Sequence, residues 1–301
     1  MIHRKDWPRF LGVAALASFL TVTLGFFGAP FLRVLRNVYG PTRYWITGLL
    51  ISVLLFSAPE LRIIALMVLA GWITVGIYAE FEEKGRANFW TAIISLGLGS
   101  FVMICVPLAL AHFAGDDLIV HLRTLIETLL TQAKVDPKKV SAELIMQQVP
   151  SALILLQIMS LAFALMWERK AALLVGLPFE KIASHMRLYE FKMPDSMIWV
   201  TMLSFLLSFV KLDNHIATVI ASNLFNVMLG LYFFQGLAVM EVGFLIYKVG
   251  SFVRFLVYLL IVGQLFLLLS AVGIIDFWVD FRKRLRNRKA PETNQKNGEQ
   301  I

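Results

Sequence analysis

The sequence predicts an all-α fold: a polytopic transmembrane helix bundle of about eight spans, with an amphipathic interfacial helix between spans four and five. Three observations carry that prediction. Of 301 residues, 58% are hydrophobic and only 16% charged, against about 45–50% and about 25% in soluble domains. The excess apolar surface has no water-compatible place to go, which excludes a soluble globular protein and makes the bilayer the natural solvent. The remaining charges gather between apolar runs and in one tail, and the runs approach the roughly 20 residues that a spanning helix needs. The net charge of +8 therefore reads as membrane orientation.

The runs define one transmembrane domain over 1–289. The first, 10–32, follows Arg4, Lys5 and Arg9 and resembles a secretory signal. It is longer than a normal signal core and lacks a small-x-small cleavage site, so it is read as a retained span. Runs 44–59 and 63–79 are short and joined through Glu60, Leu61 and Arg62, which predicts a tight helical hairpin that tilts or thins the bilayer. Run 87–115 is the fourth span. In the insertion 116–143, Leu118, Leu122, Leu125 and Leu129 recur at helical spacing opposite His121, Arg123, Glu127 and Gln132, the pattern of an interfacial helix.

Asp136 followed by Pro137 predicts the start of a second helix running into the fifth span, 144–167, with a kink at Pro150. Pro194, Asp195 and Ser196 open the sixth, 196–210. Runs 214–240 and 255–275 complete the set, and the stretch 215–275 also accommodates a third compressed span. Asp276, Asp280 and Arg284, four apart, predict an i,i+4 ladder carrying the last helix out of the membrane. The polar end, 290–301, reads as disordered.

An even span count puts both termini on one side together with the helix at 116–134. The basic run from Arg282 to Lys289 assigns that side to the cytoplasm of a bacterial inner membrane. This arrangement leaves Arg169, Lys170, Lys181, Arg187 and Lys192 in one external loop, against the positive-inside tendency, and an added crossing after His215 relieves the conflict.

The chain contains no HExxH, no GxSxG, no Walker loop and no pair of intramembrane carboxylates, so no enzymatic activity is expected. A single cysteine, Cys105, removes intramolecular disulfides and cysteine-based metal chemistry, and no cofactor or metal is expected. The polar residues that stand out lie in the seventh run. Asn223, Asn226 and Glu241 fall within about 60° on one face of a continuous helix and Gln235 about 120° away. In hydrocarbon each must find a partner or line a wet cavity. Two readings stay open: an interhelical hydrogen-bonding seam, or a ligand-binding face formed by Asn223, Asn226, Gln235 and Glu241.

The second half carries a resemblance. Pro150 opening a span after an amphipathic stretch, Phe191-Lys192-Met193-Pro194 before another, Phe234-Gln235-Gly236-Leu237-Ala238-Val239, and the closing Gly273-Ile274-Ile275-Asp276 with Asp280-Phe281-Arg282-Lys283-Arg284 resemble the YybS-like family of predicted bacterial multi-pass membrane proteins. The similarity covers roughly 141–284. That family has no established activity to transfer, and its layout is similar to the small substrate-binding membrane subunits of energy-coupling-factor vitamin transporters, an analogy of fold alone. The leading expectation is binding or translocation of a small solute in a helix-bundle cavity. The alternative is a scaffold that organises envelope proteins or lipids, with anionic lipids as partners of the basic tail and no role for nucleic acid.

Overall fold

The computed structural model describes residues 7–58, 61–114, 118–135, 140–177, 188–210 and 214–287. These residues form α-helices with short 3-10 turns and no strand, a helical bundle in keeping with the apolar runs. Among the described residues five helical stretches are long and apolar enough to cross a membrane by length and composition: Trp7–Tyr39, which a turn at 25–28 divides, Arg62–Glu83, Phe89–Phe113, Ala142–Leu174 and His215–Ile246. Pro41–Phe56, Met197–Phe209, Ser251–Leu260 and Phe266–Val279 are shorter apolar helices. The positions proposed for a helix start at Asp136, and the polar end 290–301, lie outside the described residues. The chain divides into two units, Met1–Met186 with Phe205–Val227 and Arg187–Ser204 with Met228–Ile301.

In the first unit the opening apolar run is not one straight span. Helix α1 (Trp7–Leu24) ends at Gly25, whose positive φ of 60° turns the chain into the 3-10 turn Gly25–Gly28. Helix α2 (Ala29–Tyr39) then returns along α1, with Pro30 pre-setting its first turn. Gly28 lies so close to the Ala17 carbonyl and Thr21 that a Cβ would collide with both. At the open end of this hairpin the rings of Phe10 and Tyr39 meet at 5.2 Å. Phe26 and Phe27 seat the turn against Phe163. Hydropathy registers apolar length, not chain reversal, which is why 10–32 reads as a single span in sequence.

Gly40, at φ 89°, and Pro41 then start α3 (Pro41–Phe56), which runs alongside α4 (Arg62–Glu83). The Tyr44 hydroxyl donates to the Trp72 carbonyl at 2.7 Å, and Gly48 and Gly76 make room for the Trp72, Tyr44 and Trp45 rings. Asn88 caps α5 (Phe89–Ala114) through a reciprocal pair with Thr91, each contact 2.9 Å. Helix α6 (Leu118–Gln132) follows, and Ser141 caps α7 (Ala142–Leu174) by accepting from the Leu144 N–H at 3.3 Å. The core gathers Phe10, Leu32, Leu35, Tyr44, Trp72 and Ala172, with α2 buried along nearly its whole length.

The contacts fix the directions within this unit. Trp7 lies under Arg43, Trp45 approaches Glu80 at 3.3 Å, and Glu168 reaches Arg33. The start of α1, the start of α3, and the ends of α2, α4 and α7 therefore share one end. Helix α6 joins the opposite ends of α5 and α7. The sequence reading had placed this amphipathic helix on the same side as the N-terminus; the α1–α2 reversal puts it at the other end.

The second unit contains the 3-10 turn Leu188–Glu190, the first part of α8 (Met197–Phe209), the second half of α9 (His215–Ile246), α10 (Ser251–Gln264), α11 (Phe266–Val279) and α12 (Phe281–Asn287). Its tightest contact is the crossing of α9 and α11. A Cβ at Gly236 would strike the Leu269 carbonyl, and one at Gly273 the Tyr232 carbonyl. Asp280 takes a left-handed conformation at φ 47° and ends α11, so α12 turns away instead of extending it. The anticipated Asp276, Asp280, Arg284 ladder does not form for that reason.

Candidate functional site

Helix α7 contains Pro150, which has no N–H to give the preceding turn and whose ring crowds it. The Asn223 side chain of α9 meets α7, which stays helical through Pro150, at this position. Its Oδ1 accepts from the Ser151 N–H at 2.8 Å, while its Nδ2 donates to the Gln147 carbonyl at 2.6 Å and to its own Val219 carbonyl at 2.8 Å. Gln147 and Ser151 are four apart, the two backbone groups that a helix pairs with each other. A carboxamide carries one donor edge and one acceptor edge at about peptide spacing, so asparagine can serve both groups at once where a purely accepting or donating side chain cannot.

One turn further along α9, Asn226 Nδ2 donates to Gln148 Oε1 at 2.5 Å and lies 3.4 Å from Ser151 Oγ. Gln148 in turn donates to Ser222 Oγ at 3.5 Å. Asn223 and Ser151 are buried, whereas Asn226 and Gln148 are half-exposed. The patch thus has a closed floor and an open rim of amide groups on apolar helices. Of the four residues singled out in sequence, the structure brings Asn223 and Asn226 together here.

Gln235 and Glu241 lie in the second unit, each in its own setting. Gln235 is buried; its Oε1 accepts from the Met193 N–H at 2.9 Å, and its Nε2 donates to the Gly273 carbonyl at 3.1 Å and to Asp276 at 3.3 Å. Asp276 also receives Arg282 through Nη2 at 2.9 Å and Nε at 3.2 Å, and the Phe281 N–H at 2.9 Å. Arg282 closes the ring by donating to the Phe191 carbonyl at 2.7 Å. Residues from four of the separated motifs in sequence meet in this one latch. Glu241 accepts from the Tyr258 hydroxyl at 2.6 Å and from Arg254 at 3.3 Å at a half-buried position, and so is paired with a base of the next helix.

A further polar cluster escaped the sequence reading. Arg33 and Arg36, which follow the run 10–32, sit on buried α2. Arg33 bonds Glu168 at 2.6 Å and also Glu82; Arg36 bonds Glu80 at 3.1 Å and also Glu83; Asn37 donates to Glu168 at 2.5 Å. Arg33, Arg36 and Asn37 at spacings of three and four mark one helix face, and this was the available signal. Among the described residues no group of three or more His, Cys, Asp or Glu side chains is placed to hold a metal ion.

A family model described as predicted membrane protein (DUF2232) matches residues 10–277, which agrees with the YybS-like resemblance and widens it to the first helices. No curated protein matches this chain. No solved structure matches it either.

Proposed function

Since the chain belongs to the DUF2232 family of membrane proteins, we propose that it is a multi-pass protein of a bacterial inner membrane that binds or translocates a small polar or amphipathic solute at the amide patch beside Pro150. The observation that carries this reading is the Asn223 carboxamide bound to the Ser151 N–H and the Gln147 carbonyl next to Pro150, beside the half-exposed amides of Asn226 and Gln148. Membrane transporters meet their substrates where a helix offers backbone and side-chain polar groups to a cavity, and a proline that removes one N–H favours such a place. A solute amide can insert between Asn226 and Gln148, accepting from the first and donating to the second, and so leave neither group unpaired. Asn223 forms the floor and Asn226 the gate-like rim.

The test is a thermal-shift screen of the full-length protein in lipid nanodiscs against water-soluble vitamins, amino acids and nucleosides. The reading expects at least one class to stabilise the wild type and the shift to vanish in Asn226→Ala, with membrane abundance retained. A shift that survives both Asn223→Ala and Asn226→Ala overturns it.

A scaffold role is the second reading, supported by a separate feature. The Asp276–Arg282 latch holds α12 so that Lys283, Arg284 and Arg286 remain exposed for anionic lipids or an acidic partner. Replacing those three bases by glutamine impairs localisation or assembly under this reading and leaves solute shifts intact.

A further inference from the structure

The outer faces of α1 and α3 enclose a groove of about 470 Å³ within the first unit. Phe10, Leu11, Ile46 and Leu50 line its walls, and Arg43 lies at the end nearest Trp7. Along α1 from Trp7 to Ser18 the groove runs about 16 Å at 1.5 Å per residue. That is close to half of a ~30 Å hydrocarbon core, the depth of one leaflet.

Its polarity runs the same way. The Arg43 guanidinium sits 4.8 Å from the centre of the Trp7 ring, an arrangement typical of the headgroup region, and its Nη1 is buried with no hydrogen-bond partner. Thr47, one turn on, supplies a hydroxyl on the same wall. A charged donor without a protein partner at one end of an apolar slot is complemented by an anionic oxygen carried on a hydrocarbon chain. A helix from a second copy would fill the slot and leave the guanidinium unmatched.

We propose that this groove holds one anionic phospholipid, with its phosphate on Arg43 and one acyl chain lying between α1 and α3. The site is independent of the amide patch beside Pro150. Two features select an anionic lipid over a zwitterionic one: the guanidinium charge is permanent, and a headgroup ammonium placed beside it would be repelled.

The test uses full-length protein stripped of lipid in detergent, titrated with dioleoyl phosphatidylglycerol or dioleoyl phosphatidylcholine, and read by native mass spectrometry. One phosphatidylglycerol is expected to be retained with about tenfold preference over phosphatidylcholine. Arg43→Gln should bring the two lipids to parity, Arg43→Lys should keep part of the preference, and Ala15→Trp, which fills the slot, should release both. Equal binding of the two lipids by the wild type, or an unchanged preference in Arg43→Gln, overturns the proposal. So does a dimer that Ala15→Trp dissolves, which would give the slot to a second copy. If Ala15→Trp does not fold, the Gln and Lys variants at Arg43 decide alone.

Discussion

Asn223 and Asp276 show how differently two buried polar residues can be tied into helices. Asn223 bonds the Ser151 N–H and the Gln147 carbonyl, backbone groups four apart that a helix can pair without it, so Asn223→Ala is expected to cost only about 1–2 kcal/mol, the scale of hydrogen bonds inside membranes. Asp276 is the buried acceptor for Arg282, Gln235 and the Phe281 N–H, and Asp276→Ala strands a guanidinium, a loss of about 3–5 kcal/mol. Glu241→Gln should be mild, because Arg254 keeps the Val249 and Phe244 carbonyls at 2.9 and 3.1 Å. Thermal unfolding of the three variants should rank Asp276→Ala well below the other two; a ranking that puts Glu241→Gln lowest would contradict these assignments. The sequence reading found Asn223 as a residue that must have a partner, yet periodicity gives a face and not a neighbour. The partner became visible only when Pro150, noted independently, was seen at the same level of the bundle.

At the scale of elements, the second unit depends on glycines whose neighbours are backbone. Gly236 and Gly273 face each other across α9 and α11, and a side chain at either forces two helices apart at a carbonyl. Gly273→Val is expected to lower membrane abundance severely, and Gly243→Ala, with nothing within 4 Å of a Cβ, to be tolerated. Equal abundance of the two variants would refute the crossing. Most helices were legible from the uncharged runs, since hydrocarbon demands apolar length and internal hydrogen bonding together. The exceptions are informative. The last run divides between α10 and α11 at Leu265, and the ladder expected from Asp276 to Arg284 fails at the left-handed Asp280, features that depend on tertiary contacts and local dihedrals to which hydropathy is blind.

For the molecule as a whole, the α1–α2 reversal reorders sidedness. Within the first unit, Arg9, Arg36, Arg43, Lys84, Arg86, Arg169 and Lys170 belong to the end that holds the start of α1, whereas Arg62, Arg123 and Lys134 belong to the other. Arg169 and Lys170, external in the even-span reading, thus join the end that holds the start of α1 without any added crossing after His215. With that end in the cytoplasm, as the positive-inside rule directs, a phosphatase fusion after Lys134 should be active and one after Gly176 inactive. The reverse pattern would reject the orientation. The central claim, that the amide patch beside Pro150 is an accessible site and not a dry seam, is tested most directly by thiol labelling in intact membranes. On a Cys105→Ser background, Asn226→Cys and Gln148→Cys would be exposed to a membrane-impermeant maleimide, with Leu224→Cys, on the exposed apolar face, as the control. The account predicts that the first two are labelled and Leu224→Cys is not; failure of both Asn226→Cys and Gln148→Cys to react, with the proteins inserted and stable, would contradict it.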